Sequence, residues 1–130
     1  MPYQYVRDDP RRRIRIRFRD PLTTEELVET ADRQVAEGVW SYSVLVDARG
    51  LSSKPDIGRI RTFLSHVKQL VTQHGPRGPL AIVVRESGGI AGAQIYKTLG
   101  GTNAEPELTT FWDVDEAERW LDRMVRAESH

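Results

Sequence analysis

The chain has 130 residues, 38% of them hydrophobic, and its 19 basic residues balance its 19 acidic residues. This length and composition predict one globular domain over residues 1–130. Zero net charge argues against binding to nucleic acid or to an anionic membrane through the overall charge of the protein. The lack of cysteine excludes disulfides, zinc–thiolate sites and thiol catalysis. No apolar run approaches the ~20 residues that span a bilayer, and no signal peptide is recognisable, so we expect a soluble cytoplasmic protein.

Two strands open the chain and form a predicted hairpin. Residues 3–6 and 11–19 have strand character, and the turn-forming run Asp8-Asp9-Pro10 separates them. Apolar and basic side chains alternate along the second strand, so its apolar face should be buried and its arginine face should be wet or meet a partner. The arginines stand at positions 13, 15, 17 and 19. They could bind a phosphate backbone, which the neutral total charge opposes, or protect an edge strand as solvated charges.

A capping box begins the first helix, because Thr23 and Glu26 can satisfy each other's free amides. The apolar stripe of this helix is predicted at Leu27, Ala31 and Val35, which repeat at four-residue spacing. A helix with such a stripe packs it against the rest of the core. We therefore expect these three side chains to be the buried ones.

Strands and helices then alternate to the end of the sequence. Strands are predicted over residues 43–48, 79–85 and 107–112, and helices over about 56–74, over about 89–99 and from residue 113 onwards. The run Leu80–Val84 is apolar without alternation, which indicates a central, parallel strand covered on both faces. Val46, Ile82 and Val83 should therefore be almost fully buried. Successive β-α units of this kind form parallel strand pairs with right-handed crossovers.

Four segments of the sequence stand out together by content and order. They are Leu45–Leu51, Gly78–Val84, Gly92–Gly101 and Thr109–Leu121. The most specific is the last, which contains the pattern Phe-x-Asp-x-Asp-Glu-Ala-x-x-Trp-Leu. Together they resemble the SpoIIAA-like family, a branch of the STAS and CRAL-TRIO group, over about residues 11–122.

The resemblance implies an α/β fold, an open superhelix of β-α units with a mixed, mostly parallel sheet. An N-terminal hairpin and about four helices, mainly on one side, complete the implied fold. It also implies a non-enzymatic role, because STAS domains act as partners switched by phosphorylation and CRAL-TRIO domains bind lipid-like molecules. Neither activity carries over residue by residue. The phosphorylatable Asp-Ser-Ser-Gly of STAS antagonists is replaced here by Asp56-Ile57-Gly58, and CRAL-TRIO proteins have gating helices for which this chain has no residues.

The carboxyl end of the strand over residues 43–48 supplies two candidate binding residues, Asp47 and Arg49. Ligands of α/β proteins meet the sheet at the carboxyl ends of its strands. Asp47 could therefore anchor a polar ligand or partner. Bonding to the backbone amides of its own turn is the more frequent role of such an aspartate.

The loop after that strand supplies three more candidates, Ser52, Ser53 and Lys54. A phosphate bound here would meet the free amides and the positive end of a helix. Ser52 and Ser53 are also candidate phosphorylation sites, since a phosphate would change the charge of the expected contact surface. An ordinary polar loop is the more frequent reading of such residues.

Other chemical motifs are weak. The glycine-rich run Ser87–Gly92 follows a strand and opens a helix, but its spacing matches neither the dinucleotide fingerprint nor a P-loop, so a tight turn is favoured. His66 and His74 have no metal-ligand spacing. We therefore expect neither a metal nor another cofactor.

Two functions follow as alternatives. The first is a regulatory or protein–protein interaction module with a regulatory protein partner, and the second is a carrier or sensor of a small apolar or lipid-like ligand. An enzyme ranks lowest, because no acid–base pair can be assembled from the sequence, and we expect no nucleic-acid partner and no membrane insertion. An apolar pocket of roughly 300 Å³ or more would favour the carrier. A filled core with a flat apolar patch on the surface would favour the interaction module.

A homodimer is also expected. Helices on one side of the sheet would leave the second face of Leu80–Val84 exposed to solvent. Soluble monomers rarely tolerate such an apolar patch, and a two-fold related copy is the commonest cover.

Overall fold

Five strands and four helices alternate along the part of the chain that the computed structural model describes, residues 3–52, 56–85, 90–95, 97–98 and 108–128. The strands are β1 (Tyr3–Asp8), β2 (Arg13–Arg19), β3 (Ser43–Gly50), β4 (Leu80–Val83) and β5 (Leu108–Phe111). The helices are α1 (Thr24–Ala36), α2 (Ile57–His74), α3 (residues 90–95 and 97–98) and α4 (Val114–Glu128).

The strands form one sheet in the order β1-β2-β3-β4-β5. β1 and β2 are antiparallel, with Tyr3 opposite Phe18, and every other neighbouring pair is parallel. The predicted α/β class, the mixed and mostly parallel sheet and the N-terminal hairpin are therefore confirmed.

The hairpin turn lies two residues later than the sequence predicted, because β1 continues to Asp8 and β2 begins at Arg13 and not at residue 11. Arg12 has a left-handed backbone with φ of 53°. Its amide donates to the carbonyl of Asp9, and the Asp8 carboxylate accepts the amide of Arg11 at 3.2 Å. These bonds hold residues 9–12 in the turn, so β2 begins only after residue 12.

The larger core lies between one face of the sheet and helices α1, α2 and α3. The predicted inward residues of β2, which are Ile14, Ile16 and Phe18, are at most 4% exposed and belong to this core. From the helices, it includes Ala31 of α1, Ala93 of α3, and Phe63, Leu64, Val67 and Leu70 of α2.

Helix α1 packs its predicted apolar stripe against the core, but it also buries polar residues beside that stripe. The Thr23 side chain caps it by accepting the Glu26 amide at 3.2 Å, as expected. Ala31 is buried, but Leu27 and Val35 are only half-buried. The other buried residues of this helix are the polar Glu26, Thr30 and Gln34. The apolar stripe accounts for only part of the buried surface of α1, because the polar row next to it also faces the protein interior.

The second face of the sheet is covered by α4. Ala117 and Leu121 of this helix are fully buried against Leu45 of β3 and against Ala81 and Val83 of β4. β4 is therefore covered on both faces, as its uniform apolar sequence predicted. The reason for expecting a second copy of the chain at this face is removed, because one chain covers its own apolar surface.

β2 is not an edge strand, which corrects the interpretation of its arginines as edge charges, and its arginine face is only partly exposed. Arg17 and Arg19 are exposed, whereas Arg13 is buried and Arg15 is half-buried. β2 lies between β1 and β3. Arg13 is only 1% exposed and donates to Glu118 at 3.1 Å and to Asp122 at 2.9 Å. Arg15 donates to the same Glu118 at 2.7 Å. The ion pairs of these two arginines hold α4 against the second face of the sheet.

Candidate functional site

A pocket of about 200 Å³ lies between the sheet and helices α1, α2 and α3. Its strand-borne wall is apolar and comes from Ile16, Phe18, Val46, Ala48, Leu80 and Ile82. The helices add Leu27, Ile60, Phe63 and Ala93. Ile82 and Val83 are buried as predicted, but Val46 is only partly buried because it forms part of this pocket wall.

Polar contacts hold one end of the pocket together, at the carboxyl ends of β2 and β3. Asp20 follows β2, and its Oδ2 accepts both the amide and the hydroxyl of Ser52 at 2.9 Å. Asp56 begins α2 and accepts the amide of Arg59 at 3.1 Å, while the Arg59 guanidinium donates to the carbonyl of Leu22. We call this end, with Asp20, Asp56 and Arg59, the mouth of the pocket.

A charged side chain lines the pocket near the amino end of β4. Arg77 is only 4% exposed, and its Nη2 donates to Oε1 of Gln34 at 3.1 Å. The Arg77 guanidinium also lies over the Trp40 ring, 5.3 Å from its centroid. Trp40 is fixed in turn, because its Nε1 donates to the carbonyl of Gly75 at 2.9 Å. Arg77 is therefore held as a charged part of the mainly apolar pocket wall, to which Asp20, Thr30, Asp56 and Arg59 also contribute polar groups.

The buried polar residues of α1 form a row along this side of the helix. Glu26, Thr30 and Gln34 repeat every four residues and are 8%, 2% and 0% exposed. Thr30 lines the pocket, and its hydroxyl donates to the carbonyl of Leu27 at 2.8 Å. Two polar atoms of this row, Oε2 of Glu26 and Nε2 of Gln34, have no hydrogen-bond partner among the described residues. Buried polar groups are normally bonded. Of this row, Thr30 lines the pocket, whereas Glu26 and Gln34 do not belong to its lining.

Asp47 and Arg49 lie away from this pocket. Side chains alternate along β3, so Asp47 faces α4, as Leu45 does, while the pocket residues Val46 and Ala48 face the other way. Asp47 is 7% exposed and accepts from the Arg49 side chain at 2.8 and 2.9 Å and from the Arg49 amide at 3.1 Å. The turn bond favoured from the sequence is present, but ionic contacts accompany it.

The ion pairs of Asp47 set its acidity. Burial raises the pKa of the Asp47 carboxyl, but the hydrogen bonds and the charge of Arg49 lower it further than burial raises it. The charge of Arg17, whose Nε is 3.2 Å from Asp47 Oδ2, adds to this effect. The net pKa is below its ordinary value, so Asp47 is a charged anchor for two arginines.

Of the three loop candidates, the structure describes only Ser52. Ser52 is exposed at the mouth and bonded to Asp20. Ser53 and Lys54 lie outside the described residues, as does the start of the glycine-rich run at residues 87–89. No hydrogen bond or ion pair among the described residues joins Ser52 to Asp47. Among the described candidates, Asp47 contacts Arg49, whereas Ser52 contacts Asp20.

One of the two histidines of α2 takes part in a contact between helices. His66 Nε2 lies 2.6 Å from Asp32 Oδ1, in a contact between α2 and α1. Across residues 3–52, 56–85, 90–95, 97–98 and 108–128, no cluster of three or more histidine or acidic side chains could hold a metal ion. Within those same ranges, no helix combines the length and the apolar character needed to cross a membrane.

The fold and the site define an α/β protein with a small apolar pocket on the helix-rich face of its sheet. No family model matches the chain, and neither a curated protein nor a solved structure matches it. The resemblance to the SpoIIAA-like family stays a prediction.

Proposed function

We propose that this domain binds a small, mainly apolar molecule in the pocket and acts as its carrier or sensor. The observation that carries the proposal is the pocket itself, an apolar space lined by three strands and three helices with polar groups at both ends. Ligand sites are typically apolar clefts in which a few polar groups fix the orientation of the ligand. Its place against the carboxyl ends of β2 and β3 is where α/β proteins bind ligands.

The volume limits the size of the ligand. At about 200 Å³ the pocket falls short of the roughly 300 Å³ expected above for a carrier, which is also the volume at which drug-sized pockets begin, so the proposal is limited to smaller ligands. The pocket exceeds the roughly 150 Å³ of an engineered cavity, in another protein, that binds benzene. The proposed ligand is therefore a single-ring or short branched molecule, and a whole membrane lipid is too large.

Filling the pocket tests this function. Ala93 is buried on α3 and lines the pocket, and its neighbour Gln94 is exposed. Small aromatic probes such as toluene and benzamide should raise the melting temperature of the native protein. Ala93→Phe should abolish that rise, because the new ring occupies the pocket, whereas Gln94→Phe adds the same ring outside it and should keep the rise. The proposal fails if no probe stabilises the native protein, or if both variants respond like the native chain.

A regulatory interaction module is the second candidate, and two exposed residues favour it. Trp112 is 68% exposed between β5 and α4, and tryptophan is enriched in protein interfaces. Ser52 is exposed at the mouth, where its hydroxyl donates to Asp20. A phosphate on Ser52 would add about −1.5 to −2 charges beside that carboxylate and break the contact. We propose this module as cytoplasmic and homodimeric.

The pair Ser52→Glu and Ser52→Gln tests the regulatory candidate, because the two side chains differ in charge and hardly in size. Only the glutamate variant should speed amide hydrogen exchange in residues 20–22 and in the first turn of α2. Equal exchange in the two variants would remove the charge-based switch.

A further inference from the structure

We infer that the ligand of this pocket is a small neutral molecule with a hydroxyl group, which donates a hydrogen bond to the Thr30 side chain. The inference rests on the proposed function and adds the chemical class of the ligand. It follows from the hydrogen-bonding capacity of the polar side chains in the pocket wall. Thr30 lines the pocket and is only 2% exposed, so its hydroxyl is a polar group inside a mainly apolar space.

The Thr30 hydroxyl has only acceptor capacity left. A hydroxyl has one proton to donate and two lone pairs that accept. The proton of Thr30 is used within α1, where it points at the carbonyl of Leu27 at 2.8 Å. Among the described residues, none donates a hydrogen bond to this oxygen. Because the proton points at the helix backbone, the lone pairs point away from that backbone, on the side of the helix that lines the pocket.

The other polar side chains of the described wall offer the ligand no comparable buried group. Arg59 and Arg77 can only donate, and both already bond to acceptors of the protein. Asp20 and Asp56 are exposed at the mouth, where water competes for their oxygens. Within this wall Thr30 is therefore the buried acceptor, and the ligand group that matches it is a donor.

A neutral hydroxyl matches Thr30 better than a charged donor does. An ammonium group would lose its hydration in the pocket and meet only a neutral oxygen at Thr30, and burying a charge without a charged partner is costly. A hydroxyl loses less on leaving water and forms the same bond. Since Thr30 is buried and the mouth is exposed, the hydroxyl of the ligand lies inside and the apolar body extends past Val46 and Ile60 toward the mouth.

Phenol and toluene test this inference, because they have nearly the same shape and only phenol has a hydroxyl. Phenol is neutral at pH 7, since phenolic groups have a pKa of about 10. Affinities are measured by NMR titration of the native protein and of two variants. Thr30→Val replaces the hydroxyl by a methyl group, and it should weaken phenol binding by about two- to tenfold, the contribution of one hydrogen bond. Toluene should bind this variant as tightly as the native protein or more tightly, whereas Thr30→Ser should keep the native ratio of the two affinities.

Thr62→Val is the matched control for this substitution. Thr62 is exposed on α2, and its hydroxyl donates to the carbonyl of Gly58 at 2.9 Å, much as Thr30 donates to Leu27. The same change outside the pocket should leave both affinities as they are. The amide spectrum recorded in each titration shows whether a variant is folded, and a ratio of two affinities measured on one protein does not depend on its overall stability.

The outcomes separate the inference from the proposed function. The inference is overturned if Thr30→Val changes the affinities for phenol and toluene equally, or if the native protein binds toluene but not phenol. It is also overturned if Thr30→Ser shifts the ratio as far as Thr30→Val does, because the effect would then come from packing. In each of these cases the pocket still has a ligand. If neither compound binds the native protein and toluene does not raise its melting temperature, the proposed function fails as well.

Discussion

At the scale of single residues, Gly78 shows how a missing side chain positions the pocket arginine. A Cβ at this position would lie 2.4 Å from the carbonyl oxygen of Tyr42 and 2.5 Å from that of Ser41. Backbone atoms cannot yield to such a contact without a shift of the chain. Only a glycine beside Arg77 therefore lets the segment before β4 approach the segment before β3 so closely.

Gly78→Ala should destabilise the protein by about 1–3 kcal/mol, because it overpacks a tight backbone contact. Urea denaturation measures the free energy of unfolding. Gly58→Ala is the matched control: it lies in α2, where the new methyl group meets only the Asp56 side chain at 3.3 Å, and alanine is the better helix former. Equal losses in the two variants would contradict the close-contact argument.

The acidity of Asp47 predicts a loss of stability in acid. Its folded-state pKa is below the ordinary value, so the ionised form stabilises the fold above about pH 4 and this contribution is lost as the pH falls through the folded-state pKa. Asp47→Asn should flatten the fall in unfolding free energy between pH 5 and pH 2, measured by urea denaturation. Some slope should remain, because Asp8 and Glu37 also have lowered pKa values. If the unfolding free energies of the native protein and of Asp47→Asn fell in parallel with pH, the stabilising role of ionised Asp47 would be refuted.

Sequence reasoning found most of the core residues but missed those that give the pocket its polarity. Ile14, Ile16, Phe18 and Ile82 follow from period-two and uniform apolar patterns, and they are buried. Arg77, by contrast, stands in a Gly-Pro-rich run that indicates only the end of a helix. The period-four row of Glu26, Thr30 and Gln34 was the available signal. Hydrophobic periodicity does not identify this row, because its residues are polar and the periodicity indicates the neighbouring apolar stripe of α1.

At the scale of elements, the position of α4 follows from the topology. Helices α1, α2 and α3 each connect two neighbouring parallel strands, and right-handed crossovers in one direction place them on the same face. α4 follows the last strand of the described sheet, so no crossover constrains it. It can therefore cover the opposite face, where Glu118 meets the arginines of β2. The sequence predicts the apolar face of α4. It does not predict on which face of the sheet α4 packs, because that depends on ion pairs with residues about 100 positions away in the sequence.

Removing the charge of Glu118 tests this attachment. Glu118→Gln should lower the free energy of unfolding by about 1–3 kcal/mol, because it weakens the pairing of the buried Arg13 and of Arg15. Glu116→Gln, an exposed change on the same helix, should alter it by less than about 0.5 kcal/mol. Chemical denaturation compares the two variants. A loss at Glu116 as large as that at Glu118 would mean that helix composition, rather than the bond to β2, stabilises α4.

At the scale of the whole molecule, the two faces of the sheet have separate roles. The face with three helices contains the pocket, and the face with α4 contains an arginine–carboxylate network. A ligand in the pocket contacts α1, α2 and α3 but not α4. We therefore expect substitutions in the ion-pair network to change stability with little effect on ligand binding.

The proposed self-association uses a surface other than the apolar sheet face, because α4 covers that face. We place the proposed interface at Trp112, whose ring is 68% exposed. The hydrogen bond from Arg49 to Asp47 and the charge of Asp47 raise the pKa of Arg49, and the Asp113 carboxylate adds to this rise, so the charges near Trp112 have both signs. A two-fold axis beside Trp112 would bring Arg49 of one copy toward Asp113 of the other, which suits a self-complementary contact.

Sedimentation equilibrium at micromolar concentration should give twice the chain mass of 14.8 kDa. Trp112→Ser should lower it to the mass of one chain, because the ring supplies the apolar centre of the contact. Val6→Ser removes another exposed apolar side chain, 53% exposed on the edge strand β1, and should leave the dimer intact. A single-chain mass for the native protein would contradict the homodimer. Dissociation by Val6→Ser rather than Trp112→Ser would instead assign the contact to β1, where two copies would continue one sheet.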